Sequence, residues 1–152
     1  MACPTTTNPA QISITSNTTL HIFCVSHAGF FQQVTLSFNQ DMSNNIGTFS
    51  GTGENVAMAL ADGKNVLTAK TGNNKTLFAQ FRFSKSGPNG PFRPAVSVCA
   101  PIVNGTPPNP VFTTVTSEDS GDDDNNDSYL TVADLNSAQK QIGKSDATYA
   151  SA

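Results

Sequence analysis

Apolar and polar residues alternate over short stretches along most of the chain, and each stretch ends at a cluster of turn-forming residues. The clearest case is 33–39, where Val34, Leu36 and Phe38 fall on one side of an extended chain and Thr35 and Ser37 on the other. Leu77, Ala79, Phe81 and Phe83 share a face in the same way. Two further extended segments, 10–15 and 20–25, flank the polar run Ser16-Asn17-Thr18-Thr19. Shorter strands are expected at 55–60, 65–70, 95–99, 111–115 and 129–132, whereas 47–53, rich in glycine, reads as a turn. Asp62-Gly63, Gly72-Asn73-Asn74, Gly87-Pro88-Asn89-Gly90-Pro91 and Pro107-Pro108-Asn109-Pro110 punctuate the pattern. From 135 to 152 the chain is polar and rich in Ala and Ser, without an apolar stripe. The expected organisation is a flexible N-terminus over 1–9, one β-sandwich domain over 10–134 and a polar C-terminal tail over 135–152.

Composition supports an all-β domain. In 152 residues only 12% are charged and none is Trp, while Thr, Ser, Asn and Gly are plentiful. That is the profile of many short strands joined by polar turns, in one domain with a modest core. Nothing approaches the apolar length needed to span a bilayer, and the first residues lack the basic and apolar regions of a secretory signal. On this reading the protein is soluble, without membrane insertion, and either cytoplasmic or released by a non-classical route. Its three cysteines have no metal-site spacing; Cys24 and Cys99 are expected as small buried strand residues and Cys3 on a mobile end.

Charge changes the picture more than composition does. Six of the eleven carboxylates (Glu118, Asp119, Asp122, Asp123, Asp124 and Asp127) crowd into 117–127, and no Lys or Arg occurs between Arg93 and Lys140. A nucleic-acid partner is not expected, because it would need a basic stripe and none is visible. Carboxylates this close repel by roughly 1 kcal/mol per pair in water and severalfold more near a low-dielectric surface. A compact loop therefore calls for cations. Oxygen ligands in this number suit Ca²⁺, with room for two ions. The loop is not an EF-hand: with Asp122, Asp124 and Asn126 at the first, third and fifth positions, the sixth is Asp127 instead of Gly and the twelfth Ala133 instead of Glu. It is a calcium loop between the last two strands. The bland alternative, a solvated acidic linker, fits poorly with strands closing in on both sides.

Ser117-Glu118-Asp119 followed by Asp122, Asp124, Asn126 and Asp127 resembles, without a gap, the signature loop of the bacterial fucose-binding lectin II type of two-calcium lectins. The resemblance implies a sandwich of about nine antiparallel strands that binds mannose- or fucose-type monosaccharides through direct coordination to two Ca²⁺ ions. It implies that Glu118 and Asp122 hold one ion, that Asp124 and Asp127 bridge both, and that Asn126 completes the second. Asp119 then accepts a hydrogen bond from a sugar hydroxyl. Matching 32–34 to the family's strand places His27 where the family has a calcium-binding Asn, and Ala28 and Gly29 on the specificity-determining pair. Two features depart from the family. Calcium prefers oxygen to an imidazole, and 25 residues follow Asp127, so a homodimer or higher homo-oligomer, if formed by exchange of a carboxylate, would need another group such as Asp134.

An enzyme is not expected. His21 and His27 are the only histidines, and no GxSxG, HExxH or phosphate-cradling glycine loop occurs. Phe30, Phe31 and Phe92 are read as caps on the core, with stacking on a sugar as the alternative. The rival to a lectin is a structural or adhesive sandwich whose calcium only stabilises a loop.

Overall fold

The computed structural model describes residues 3–107, 109–119 and 127–135, and within them the chain is all-β. The strands are β1 (Ala10–Ser13), β2 (Thr19–Ser37), β3 (Asn45–Ala57), β4 (Leu67–Lys70), β5 (Thr76–Ser84), β6 (Arg93–Pro94), β7 (Ser97–Val98), β8 (Ile102–Asn104), β9 (Val111–Glu118) and β10 (Ser128–Asp134). All pairings are antiparallel. They run β1-β5-β2-β10-β9-β7, with β3 and β4 on β2, β6 on β5 and β8 on β9.

β2 is the spine. Its first half pairs with β10 from Leu20 to Ser26, and its second half with β5 from Phe31 to Ser37. β3 follows it through both halves. Between them the register slips at Ser26/His27 and again between Ala28 and Gln32, and such bulges let one strand leave one layer and enter the other. The two segments expected at 20–25 and 33–39 are thus one continuous strand.

The inward residues of both layers form one apolar cluster. Ile12, Leu20, Ile22, Cys24, Val34, Leu36, Leu77, Ala79, Phe81, Val115, Leu130 and Val132 are all buried in it, as the alternation predicts. Phe49 and Met58 join them from β3 and the segment after it. The glycine-rich 47–53, expected as a turn, is instead strand β3. Its glycines are there for close approach: a Cβ on Gly47 would come within 2.9 Å of Leu67 Cδ2, and one on Gly51 within 3.1 Å of Met58 Cγ.

The N-terminus also departs from expectation. Cys3 and Cys99 form a disulfide across a sequence separation of 96, so Cys3 is tethered where a mobile end was expected, while Cys99 is buried as expected. Thr5 bridges Cys99, the Thr6 N–H donates to the Val98 carbonyl, and the Ala100 N–H to that of Pro4. Asn8 acts as a strand partner for Phe81, donating to its carbonyl at 2.8 Å and accepting from its N–H at 2.9 Å. Cys24 is the buried free thiol the pattern predicts, pushed up to about 12 by burial. No helix in the described residues is long and apolar enough to cross a membrane.

Candidate functional site

One end of the sandwich changes character within a single step along three strands. Leu130 on β10 lies between Cys24 on β2 and Val115 on β9, an apolar row. Two residues on, Ser128 lies between Ser26 and Ser117. All three serines are buried, and they keep the inward parity of the core. The Oγ atoms of Ser26 and Ser117 have no hydrogen-bond partner among the described residues. The loop carrying the carboxylates springs from this hydroxyl row.

Asp127 is fixed at three points. Its N–H donates to the Ser117 carbonyl at 2.8 Å and its carbonyl accepts from the His27 N–H at 2.9 Å. Its Oδ2 accepts from the Asp119 N–H at 2.7 Å, which closes the two ends of the loop on one another. Glu118 is held by its backbone, pairing with Ser97 and accepting at its carbonyl from the Val96 N–H. Glu118, Asp119 and Asp127 are 2%, 5% and 4% exposed, and each offers an oxygen within 4.8 Å of the other two.

Three carboxylates cannot stay charged in such a space without compensation. Burial raises Asp127 from its ordinary 3.8 to about 8, assisted by a hydrogen bond shared with Glu118 and by the charges of Asp119 and Glu118, against a smaller opposing pull from the Asp119 N–H. Burial thus favours the protonated form of Asp127 unless a cation compensates its charge. A set of clustered, hard oxygen donors of this kind fits calcium. Asp122, Asp124 and Asn126 fall outside the described residues.

The structure brings the main chain of His27 to this cluster, but not its ring. Among the described residues the grouped metal-ligating side chains are Glu118, Asp119 and Asp127. The His27 Nδ1 instead lies 3.3 Å from Glu54 Oε1, because the bulge at Ser26/His27 sets His27 opposite Glu54 on β3. Ala28 is buried and Gly29 exposed. They open a bulge in which three residues of β2 face Thr52 alone, and the Thr52 hydroxyl secures it on the carbonyls of Gly29 (3.0 Å) and Ala28 (3.3 Å). Phe30 stacks on the buried Phe83 with centroids 6.0 Å apart, and Phe31 tilts against Phe92. Both contacts suit the capping role.

One residue at the site went unnoticed in the sequence. Gln32, 1% exposed, donates from Nε2 to Asp119 Oδ2 at 2.8 Å and accepts at Oε1 from the Ser128 hydroxyl at 3.0 Å. Its signal is parity: it shares the inward face with Val34 and Leu36, where an amide is out of place unless something needs it.

The antiparallel β-sandwich carries a buried oxygen-donor cluster at the end of its last hairpin, and its family places it in the lectin class of carbohydrate-binding proteins. The chain belongs to the fucose-binding lectin II (PA-IIL) family, whose sequence profile matches residues 12–138. It is therefore a lectin and not an enzyme, and the lectins of this family are in general calcium-dependent. No curated protein matches the chain significantly by sequence. Among solved structures it is similar to the Ralstonia solanacearum high-affinity mannose-binding lectin, with a TM-score of 0.62, 16% identity, and coverage of 84% of this chain and 96% of that one. Chromobacterium violaceum lectin CV2L, in complex with alpha-methyl-fucoside, gives a TM-score of 0.61 at 16% identity over 84% and 96% of the two chains. The C-terminal domain of the BC2L-C lectin from Burkholderia cenocepacia gives 0.57 at 20% identity over 82% and 94%.

Proposed function

We propose that this lectin binds mannose- or fucose-type monosaccharides through two Ca²⁺ ions held by the 117–127 loop. The observation that carries the reading is the packing of Glu118, Asp119 and Asp127 within 4.8 Å at the buried end of the β9–β10 hairpin. In this reading Glu118 and Asp122 hold one ion, Asp124 and Asp127 lie between the two, and Asn126 completes the second. His27 serves through its backbone N–H on Asp127 and not through its ring, since calcium prefers oxygen. Bound calcium supplies open coordination positions to vicinal sugar hydroxyls.

The chain's own residues do the rest. Asp119 accepts a hydrogen bond from a sugar hydroxyl, a charge-assisted contact roughly twice as strong as a neutral one. Ala28 and Gly29 sit on the bulge that forms the other wall, where Gly29 has no atom within 4 Å of a Cβ built on it. That open space is available to a ligand. The Cys3–Cys99 disulfide suits an oxidising compartment rather than the reducing cytoplasm.

A thermal melt in EDTA, in Ca²⁺, and in Ca²⁺ with methyl mannoside or methyl fucoside tests the proposal, because a ligand of the folded state raises the midpoint. Calcium is expected to raise it and sugar to raise it further. A calcium shift to which sugar adds nothing, up to about tens of millimolar, would favour the structural or adhesive role instead.

A further inference from the structure

Asp119 has two chemically sensible fates. Its carboxylate lies within 4.8 Å of those of Glu118 and Asp127, so oxygen chemistry alone would make it a further metal ligand. We infer that Gln32 is the positioning residue that assigns Asp119 to the sugar instead, by holding one of its carboxylate oxygens; this rests on the site being the calcium-bridged sugar site proposed above.

The Gln32 amide has only one workable orientation. Nε2 donates to Asp119 Oδ2 at 2.8 Å and to the Phe30 carbonyl at 3.2 Å, while Oε1 accepts from the Ser128 hydroxyl at 3.0 Å. Both N–H donors and the carbonyl are engaged. Turned over, the amide would set its oxygen against two acceptors. It is buried, so water does not compete for these partners. Of the three serines in the row beneath, Ser128 is the one whose hydroxyl is engaged among the described residues, and it is spent on Gln32.

The consequence for Asp119 is geometric. Its backbone N–H is committed to Asp127 Oδ2 and its own Oδ2 to Gln32. The bond from Gln32 takes one lone pair of Oδ2 and sets the tilt of the carboxylate, so an ion held through both oxygens would have to share Oδ2 with the amide; in the proposed arrangement Oδ1 takes the incoming hydroxyl. The same amide nitrogen anchors Phe30, next to Ala28 and Gly29, so one side chain sets the spacing between Asp119 and the bulge opposite.

The test is a pair of titrations on Gln32→Leu and Gln32→Met, which remove the amide without adding charge: Ca²⁺ alone, then methyl mannoside and methyl fucoside into calcium-saturated protein. Sugar affinity is expected to fall about ten- to a hundredfold, the worth of a hydrogen bond to a charged group. Calcium affinity should stay within about threefold of the original protein, less than 1 kcal/mol by the same conversion. Parallel loss of both affinities marks a merely structural residue and overturns the inference, as does undiminished sugar binding. Should both variants fail to fold, Ser128→Ala removes only the hydroxyl that orients the amide, and it is expected to weaken sugar binding severalfold with calcium binding unchanged; an unchanged sugar affinity there overturns the inference. If the unaltered protein takes up calcium but no sugar, it is the underlying reading that fails.

Discussion

Two adjacent rows in the same three strands make opposite choices. Cys24, Leu130 and Val115 fill the core, and Ser26, Ser128 and Ser117, about 7 Å further along, lie just as deep. The apolar row gains from removing hydrocarbon from water. The serine row does not gain in this way: a buried hydroxyl without a partner forfeits roughly 1–3 kcal/mol, and Ser26 and Ser117 have none among the described residues. Polar residues kept at core parity beneath three carboxylates are what a site, not a scaffold, requires. On the proposed reading, stability and function are separated along β2, β9 and β10 by one pleat.

If that separation is real, substitutions in the two rows should move different observables. Asp127→Ala removes an oxygen donor, and calcium-dependent sugar binding should fall at least about a hundredfold (roughly 2.7 kcal/mol) by calorimetry. Leu130→Ala, by contrast, should cost about 2–5 kcal/mol in denaturant unfolding yet leave the calcium-induced rise in melting temperature intact. Cys3→Ser should cost about 2–4 kcal/mol by the same measurement, as expected for opening so long a loop, and it too should spare calcium binding.

The pH dependence carries a definite sign. Asp127 has its ordinary value near 3.8 and a folded value of about 8 without metal, so folding favours its protonated form. Stability of the calcium-free protein should be fully present below about pH 4 and decline progressively toward pH 8. Melting temperatures in EDTA across that range check this. Calcium competes with the same proton, so its stabilising shift should grow over the same window. At the small end, Ser117→Ala and Ser26→Ala should be neutral or stabilising by up to about 1 kcal/mol; a loss of several kcal/mol would mean that these hydroxyls have bonding partners after all.

The body of the sandwich was legible because alternation reports directly on burial: Val34, Leu36, Leu77, Ala79 and Phe81 are all inward, as their spacing requires. Three features were not legible for physical reasons. Glycine signals freedom in sequence, so the close approach of Gly47 and Gly51 to their neighbours looked like a turn. The Cys3–Cys99 bond depends on a topology that closes 96 residues of separation. The span 26–32 gave no strand pattern because bulges disrupt the alternation while the strand continues. At the site, the acidic run announced itself, and Asp119 and Asp127 do meet, being eight residues apart across one hairpin. Gln32 comes from 87 residues away, and only its misplaced polarity could have betrayed it. His27 was placed by register alone, which fixes a backbone position but not the direction of a ring.

In the proposed function, the polar end of the sandwich binds sugar through calcium. Calorimetric titration of methyl mannoside and methyl fucoside into the protein, first saturated with Ca²⁺ and then stripped with EDTA, addresses it most directly. The account predicts saturable binding of at least one sugar with calcium and none without it, restored when calcium is returned. Equal binding in both states, or none in either, would contradict it.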